Sequence, residues 1–235
     1  MLSFAGPAWQ PEPMIVGAVV PAAGRGVRLG GAAPKALREL AGEPLLVHAV
    51  RGLRAAPSVG TVVVVVPPAL VEPVRALLAA YDVVVVPGGA ERQESVSLGL
   101  HALPPDVDAV LVHDAARCLT PPAVFEAVVV ALRAGADAVV PVLPVDDTVK
   151  RVDGDRVVET VDRSALRAVQ TPQGFRRDVL WQAHAAASGL RQHTDDAGLV
   201  EALGRTVVVV PGSEEAFKVT RPLDLLLAEA VLRAR

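Results

Sequence analysis

Residues 15–35 read IVGAVVPAAGRGVRLGGAAPK. The apolar run Ile15–Val20 has the length of a buried strand, and it leads through Pro21 into a loop of small and basic residues. Small residues allow backbone N–H groups to approach phosphate oxygens closely. Arg28 and Lys35 add positive charge, and an arginine can bind a phosphate through two parallel hydrogen bonds. The segment therefore predicts a strand followed by a phosphate-binding loop.

Two well-known nucleotide-binding loops do not fit this segment. A Walker loop requires Gly-x-x-x-x-Gly-Lys followed by Ser or Thr, and the sequence contains no such string. A dinucleotide-binding turn requires Gly-x-Gly-x-x-Gly, whereas Gly24 and Gly26 are followed by a third glycine only at Gly30. The second predicted strand also ends at Val66-Pro67, without the acidic residue that would bind a ribose. An ordinary glycine-rich surface loop is the simpler alternative.

Short valine-rich runs alternate with amphipathic segments along the rest of the chain. The runs that predict strands are Ile15–Val20, Thr61–Val66, Asp82–Val86, Ala109–Val112, Ala138–Val142 and Thr206–Val210. The segments that predict helices are Pro44–Ala56, Pro68–Ala80, Glu94–Leu103, Pro121–Arg133, Arg176–Ser188, Asp195–Leu203 and Pro222–Arg233. Continuously apolar strands that alternate with helices indicate an α/β fold: a single Rossmann-like, mostly parallel twisted sheet with helices on both faces.

The alternation breaks at Pro144–Gln170, which is rich in charged residues and contains alternating apolar and polar positions. A segment of this length is unusual as a plain connection between elements, although an ordinary loop is the simpler alternative. We therefore predict a protruding β-arm at about residues 144–170. Residues 1–13 are interpreted as a loose N-terminal lead, and residues 14–235 as one domain.

Composition excludes several classes of protein. Apolar residues make up 51% of the 235 residues, which argues against disorder, and the net charge of −3 argues against a broad nucleic-acid interface. Cys118 is the only cysteine, so an intrachain disulfide and a cysteine-based zinc site are excluded. No apolar run is long enough to span a membrane, and the N-terminus lacks a signal-peptide pattern. We expect no membrane association and a cytoplasmic protein.

Polar loops follow three of the predicted strands. They are Ala22–Ala33, Pro87–Gln93 and His113–Arg117. Because right-handed crossovers place the carboxyl ends of parallel strands along one edge of the sheet, these loops should lie close together. Ligands of such sheets bind at that edge, near a switch in strand order.

Further short motifs follow along the chain, and each is weak by itself. They are Gly88–Val96, Asp147-Thr148, Asp162-Arg163, Thr171-Pro172-Gln173, Thr194-Asp195 and Phe217–Pro222. Asp114 alone could be a helix cap, and Lys218 alone would ordinarily be a solvated surface lysine.

The order of these motifs, together with Ala-Ala-Gly-x-Gly-x-Arg at residues 22–28 and Pro34-Lys35, resembles the 2-C-methyl-D-erythritol 4-phosphate cytidylyltransferase family of the non-mevalonate isoprenoid pathway. The resemblance covers about Ile15 to the C-terminus. It implies transfer of CMP from CTP to that acceptor, with release of pyrophosphate and with Mg²⁺ held mainly by the CTP phosphates. Ribitol-5-phosphate cytidylyltransferases share much of the pattern, so transfer to ribitol 5-phosphate or another polyol phosphate is the alternative.

The resemblance also implies roles for individual residues. The catalytic cations would be Arg28, Lys35 and Lys218. The nucleotide-binding positions would be Ala22, Ala23, Gly24, Gly89, Ser95 and Asp114. The acceptor-binding positions would be Arg117, Thr148, Arg163, Thr171 and Thr194. Thr148 and Arg163 would reach from the arm into a neighbouring subunit, which implies a homodimer formed by arm exchange.

Two departures from the family pattern stand near the predicted site. Cys118 replaces a common proline, which would have stiffened the third loop, and Ala90 replaces an aspartate found in some members. His113 is either a structural residue or a general base, and we favour the structural interpretation because a phosphate acceptor needs no base. A non-catalytic nucleotide-binding protein and an NAD-dependent oxidoreductase are the competing classes. The retained cations argue against the first, and the misplaced glycine argues against the second.

Overall fold

The computed structural model describes residues 14–24, 34–187 and 194–235. The predicted lead at residues 1–13 lies outside the described residues. In chain order the strands are β1 (Val16–Pro21), β2 (Glu39–Leu40), β3 (Glu43–Pro44), β4 (Val59–Val66), β5 (Val83–Pro87), β6 (Ala109–Val112), β7 (Ala138–Pro144), β8 (Val149–Asp153), β9 (Arg156–Val161), β10 (Arg167–Val169), β11 (Gln173–Arg176) and β12 (Val207–Pro211). The helices are α1 (Leu45–Arg54), α2 (Val71–Leu77), α3 (Arg92–Ala102), α4 (Pro122–Arg133), α5 (Arg177–Ala186), α6 (Asp196–Ala202) and α7 (Pro222–Ala234).

The main sheet has the order β5-β4-β1-β6-β11-β7, and β7 also pairs with β12 and with β10. The pairs β5–β4, β4–β1, β1–β6 and β7–β12 are parallel. The prediction of an α/β fold with a mostly parallel sheet is therefore confirmed. From β1 the chain moves outward to β4 and β5 and then returns to place β6 on the opposite side of β1. The switch in strand order lies between β1 and β6, where a ligand site is expected.

The antiparallel strand β11, between β6 and β7, was not predicted. Its sequence, Gln-Gly-Phe-Arg, lacks the apolar run that identifies the other strands of the sheet. Gly174 is required there because α4 packs directly against it. A methyl group on Gly174 would lie 2.3 Å from Cγ1 of Val128. The apolar pattern therefore did not identify a strand that is buried by a close helix.

Alternate residues of the central strands point to opposite faces of the sheet, and each face has its own apolar core. Ala18 and Val20 of β1 pack on the face covered by α1, α2 and α4. Val19, between them, packs on the face covered by α3, α5 and α6. A third cluster joins α7 to the start of α1 and to the loop after β6, through residues that include Leu45, Cys118 and Ala228.

The helix boundaries follow local sequence signals. α4 begins at Pro122, which suits the first helical position because proline needs no N–H partner there. Gly135 follows its end with φ of +102°, a left-handed conformation that glycine adopts readily after a helix. The helix predicted at Pro68–Ala80 is instead a 3₁₀ turn at Pro68–Leu70 followed by α2, which ends at Leu77.

The predicted β-arm contains a hairpin of β8 and β9, which pair antiparallel in a separate two-stranded sheet. Arg151 and Glu159 form an ion pair across it, with Nε and Oε2 2.7 Å apart. Val152 and Val157 remain more than half exposed. β10 then returns the chain to the main sheet beside β7. None of the helices in the described part of the chain is long and apolar enough to cross a membrane.

Candidate active site

A cavity of about 250 Å³ lies at the carboxyl ends of β1 and β6, at the switch in strand order. It brings together the three loops that follow β1, β5 and β6. The predicted site residues that line it are Ala22, Ala23, Gly24, Lys35, Gly89, Ser95, Asp114 and Lys218. Arg28 lies outside the described residues, so its predicted role stays a prediction.

Backbone and small side chains form one wall of the cavity. The N–H of Ala22 donates to the carbonyl oxygen of Val65 at 2.7 Å, and the N–H of Gly88 donates to that of Val66 at 2.7 Å. Gly88 is close to both neighbouring segments, since a methyl group on it would lie 2.9 Å from Oγ of Ser95 and 3.0 Å from Cβ of Ala23. The first and second loops therefore approach closely only because small residues meet there.

Ser95, in the first turns of α3, holds the second loop through two hydrogen bonds. Its buried hydroxyl donates to the carbonyl oxygen of Glu91 at 3.0 Å and accepts the N–H of Gly89 at 3.2 Å. The N–H of Ala90 donates to Oε2 of Glu94 at 2.8 Å, so the backbone at Ala90 is held by Glu94. This part of the loop is therefore anchored even though Ala90 stands where some family members have aspartate.

Asp114 is the acidic centre of the cavity. Its Oδ2 accepts a hydrogen bond from Nζ of Lys218 at 2.7 Å, and its Oδ1 lies 3.7 Å from Nε of Arg92. Burial alone would raise the pKa of Asp114. The positive charges of Lys218, Arg92 and Arg117 outweigh that effect and lower the pKa to about 2. The carboxylate is therefore ionised at neutral pH and shared between two cations.

Arg92 lies within the second loop and was not predicted as a site residue. It is the first residue of α3, it lines the cavity, and its Nη1 lies 2.7 Å from Oδ2 of the buried Asp196. Oδ1 of Asp196 lies 3.1 Å from Nε2 of His184. Arg92 is the one cation between Gly88 and Val96, which is the signal that could have identified it.

His113 supports the third loop from inside the core. Its Nδ1 lies 3.0 Å from Oγ1 of Thr171, which also accepts the N–H of Asp114 at 3.0 Å. Burial lowers the pKa of His113 to about 4, so the imidazole is neutral at physiological pH. Its ring contacts Phe125 edge-on, with ring centroids 4.9 Å apart. These contacts favour the structural interpretation of His113.

None of the five predicted acceptor-binding residues is among the described residues that line the cavity. Arg117 instead donates to two backbone carbonyl oxygens, of Ala216 at 2.7 Å and of Val169 at 3.1 Å. Thr171 is buried beside His113, and Thr194 is exposed just before α6. Thr148 and Arg163 are exposed at the two ends of the arm hairpin.

No group of three or more His, Cys, Asp or Glu side chains in the described ranges could hold a metal ion. The carboxylates that line the cavity are Asp114 and Glu91. Mg²⁺ prefers oxygen ligands, keeps several waters and is commonly bound by one or two carboxylates together with substrate phosphates. The donor set of this cavity therefore fits an ion whose ligands come largely from a bound nucleotide.

Comparison with protein families agrees with the resemblance seen in the motifs. A sequence model described as IspD: 2-C-methyl-D-erythritol 4-phosphate cytidylyltransferase matches residues 16–234. The protein of that name from Streptomyces avermitilis is 59% identical over 231 residues, which cover 93% of this chain and 92% of the relative. Its namesake from Saccharopolyspora erythraea is 58% identical over 225 residues, which cover 93% of this chain and 100% of the relative.

Solved structures give the same result for the fold. The 2-C-methyl-D-erythritol 4-phosphate cytidylyltransferase of Thermus thermophilus superposes with a TM-score of 0.80 at 40% identity, covering 94% of this chain and 100% of the other. The 4-diphosphocytidyl-2C-methyl-D-erythritol synthase of Anaerococcus prevotii superposes with a TM-score of 0.83 at 27% identity, covering 94% and 97%. Similarity in sequence and in fold therefore extends over nearly the whole chain.

Proposed function

This chain belongs to the 2-C-methyl-D-erythritol 4-phosphate cytidylyltransferase family, and we propose that the cavity between β1 and β6 is where it acts. The enzyme transfers CMP from CTP to 2-C-methyl-D-erythritol 4-phosphate, forms CDP-methylerythritol and releases pyrophosphate. The relatives that it matches at 55–59% identity are named for the methylerythritol acceptor, so that acceptor is favoured over ribitol 5-phosphate.

The observation that carries the placement is a cavity lined by two lysines, one of which contacts a buried carboxylate, together with a set of small residues. Lys35 and Lys218 both line the cavity, and Lys218 contacts Asp114. Ala22, Ala23, Gly89 and Ala90 also line the cavity, and their small side chains leave space for a flat base beside the backbone. This combination suits a nucleotide, with its triphosphate near the lysines and its base near the small residues.

The transfer requires charge stabilisation and positioning more than acid–base chemistry. An oxygen of the acceptor phosphate attacks the α-phosphorus of CTP, the bond to the bridging oxygen of the β-phosphate breaks, and pyrophosphate leaves with that electron pair. Negative charge increases on the α-phosphate oxygens and on the leaving group, where Lys35, Lys218 and Arg28 would stabilise it. The attacking phosphate is ionised at neutral pH, so no protein base is needed, and the neutral His113 is free to serve as a support.

Mg²⁺ would be held mainly by the CTP phosphates, and Asp114 is an ionised carboxylate in the lining of the cavity. When bound, it would supply electrostatic stabilisation of the phosphate oxygens. Asp114 itself orients Lys218 towards the cavity through their hydrogen bond at 2.7 Å.

The acceptor half of the site is proposed to be completed by a second chain. Thr148 and Arg163 are exposed at the ends of the arm hairpin and do not line the cavity of their own chain. A homodimer in which each arm reaches the partner's cavity would supply the positive charge that a phosphorylated acceptor needs. We also propose a cytoplasmic location, where CTP is available.

The test of this function is pyrophosphate release with purified protein, Mg²⁺ and each substrate pair. Release with CTP and 2-C-methyl-D-erythritol 4-phosphate is expected, and ATP, GTP and UTP serve as nucleotide controls. Release only with ribitol 5-phosphate would move the chain to the alternative acceptor. Release with no pair would contradict the catalytic assignment and favour a nucleotide-binding role.

A further inference from the structure

We propose that Gln170 and Arg117 are positioning residues that connect the base of the arm to the segment carrying Lys218. The proposal rests on the catalytic role proposed for Lys218. It assigns a function to Gln170, which is outside the residues that line the cavity, and it gives Arg117 a role in holding backbone.

Gln170 follows β10, where the arm returns to the main sheet, and its side chain is buried. Its Nε2 donates to the carbonyl oxygen of Ser213 at 2.8 Å, and its Oε1 accepts the N–H of Ser213 at 3.0 Å. The carboxamide thus pairs with both backbone groups of one residue, as a neighbouring strand would. The backbone of Gln170 is itself anchored, since its N–H donates to the carbonyl oxygen of Pro141 at 2.8 Å.

Gly212 leaves the space that this pairing needs. A methyl group on Gly212 would lie 2.3 Å from Oε1 of Gln170, closer than any real contact, so a larger residue would displace the carboxamide. The N–H of Gly212 donates to the carbonyl oxygen of Val142 at 2.9 Å, which ties the same segment to β7. The clamp between Gln170 and Ser213 therefore depends on a close approach that glycine permits.

Arg117 makes a second connection a few residues further along. One guanidinium bridges the carbonyl oxygen of Val169, at the base of the arm, and that of Ala216, two residues before Lys218. The N–H of Val219, just after Lys218, donates to the carbonyl oxygen of Ala116 at 2.8 Å. Residues 213–219 are therefore held by the arm base on one side and by the third loop on the other.

These contacts bear on catalysis because the Lys218 ammonium ends 2.7 Å from Asp114, in the cavity. Electrostatic stabilisation of a transition state depends on charges that are fixed in place beforehand, and a displacement of about 1 Å can cost on the order of 100-fold in rate. Gln170 and Arg117 would therefore hold Lys218 in place by fixing the backbone of the segment that precedes it. The competing explanation is that both side chains only satisfy buried backbone groups and stabilise the fold.

The first experiment compares kcat and KM in Gln170→Met, which keeps the length of the side chain and removes both hydrogen bonds. We expect kcat to fall on the order of 10-fold while KM for CTP changes less than about 3-fold, because the charge is loosened and not removed. Gln182→Met, at an exposed position of α5, is the matched control and should leave both unchanged. Gly212→Ala breaks the same clamp with Gln170 intact, so it should reproduce the fall in kcat if Gln170→Met does not fold.

The second experiment separates positioning from stability by combining Gln170→Met with Lys218→Ala. If Gln170 acts through Lys218, the double variant should have the kcat of Lys218→Ala within about 2-fold. A further 10-fold loss of kcat in the double variant, or an unchanged kcat in both Gln170→Met and Gly212→Ala, would overturn the positioning role of Gln170. Either result would leave the proposed role of Lys218 intact. An unchanged kcat in Lys218→Ala would overturn the proposed role of Lys218 and this inference with it.

Discussion

Asp114 and Arg163 were both predicted from the same family resemblance, yet the structure places them in opposite surroundings. Asp114 is largely buried, faces two cations in the cavity, and has a backbone N–H held by Thr171. Arg163 is exposed at the base of a hairpin whose two strands pair only with each other. The proposed nucleotide half of the site thus lies in a cavity of one chain, whereas Thr148 and Arg163 of the proposed acceptor half are exposed on the arm. The difference indicates that the two halves should fail in different ways when they are altered.

The largest expected effect is that of Lys35→Ala, in the assembled half. Lys35 lines the cavity, and the triphosphate of CTP is proposed to lie near it. Removal of one fixed donor from a charge-stabilising site lowers kcat by about 10²- to 10³-fold, and we expect a much smaller change in the dissociation constant for CTP. Steady-state kinetics and calorimetric titration with CTP would measure the two quantities.

Lys150→Ala is the control for that change, since Lys150 lies on the arm, where its Nζ donates to Oγ1 of Thr160 at 2.6 Å. It should leave kcat unchanged. Unchanged turnover with weaker CTP binding in Lys35→Ala would show instead that this lysine acts only in the ground state.

The next effect concerns the arm and is expected in KM for the acceptor. Loss of a charged hydrogen bond to a phosphate weakens binding by about 10- to 100-fold, so Arg163→Ala should raise that KM with little change in KM for CTP. Mixing Arg163→Ala with Lys35→Ala chains then tests arm exchange. A mixed dimer has one cavity with its own Lys35 and with the arm of the other chain, which carries Arg163. Random reassortment should restore about a quarter of wild-type activity at low acceptor concentration.

If each arm instead served the cavity of its own chain, every site in the mixed dimer would carry one defect. The mixture would then be no more active than the sum of the two variants. That outcome would remove the proposed difference between the two halves of the site.

The features that could be predicted from the sequence are those that depend on short, contiguous stretches of residues. The valine runs identified β1, β4, β5, β6, β7 and β12, and small residues after β1 identified the wall of the cavity. The sequence did not identify β11, because this strand lacks an apolar run and its Gly174 is required by the close contact with α4. Nor did it identify Arg92 or Gln170, whose partners Asp196 and Ser213 are distant in the chain and become visible only in three dimensions.

A smaller effect is expected from His113, on stability and not on turnover. Burial holds its pKa at about 4, below the ordinary 6.5, so between these values the unfolded chain takes up a proton that the native chain does not. Stability should therefore fall as pH decreases from 6.5 towards 4, by up to about 3 kcal/mol from this group. Asp114, with a lowered pKa of about 2, changes the pH dependence of stability only below about pH 4. Urea unfolding of wild type and His113→Asn between pH 4 and 6.5 would measure this loss of stability. If the free energy of unfolding fell equally with pH in both proteins, the lowered pKa of His113 would be contradicted.

The smallest effect is expected at Cys118, where the family pattern commonly has proline. The turn does not depend on that proline, since the N–H of Arg117 donates to the carbonyl oxygen of Asp114 at 2.9 Å and that of Thr120 donates to Arg117 at 3.2 Å. The Cys118 side chain packs with Leu45 and Ala228, and burial raises the pKa of its thiol to about 12. Because the thiolate is the reactive form, native protein at pH 8 should resist alkylation by iodoacetamide, while protein in urea reacts. Cys118→Ala should keep kcat within about 2-fold, because the side chain packs in the cluster beside α7 and is not among the residues that line the cavity. A large loss of kcat would mean that the thiol positions the third loop more directly than its packing implies.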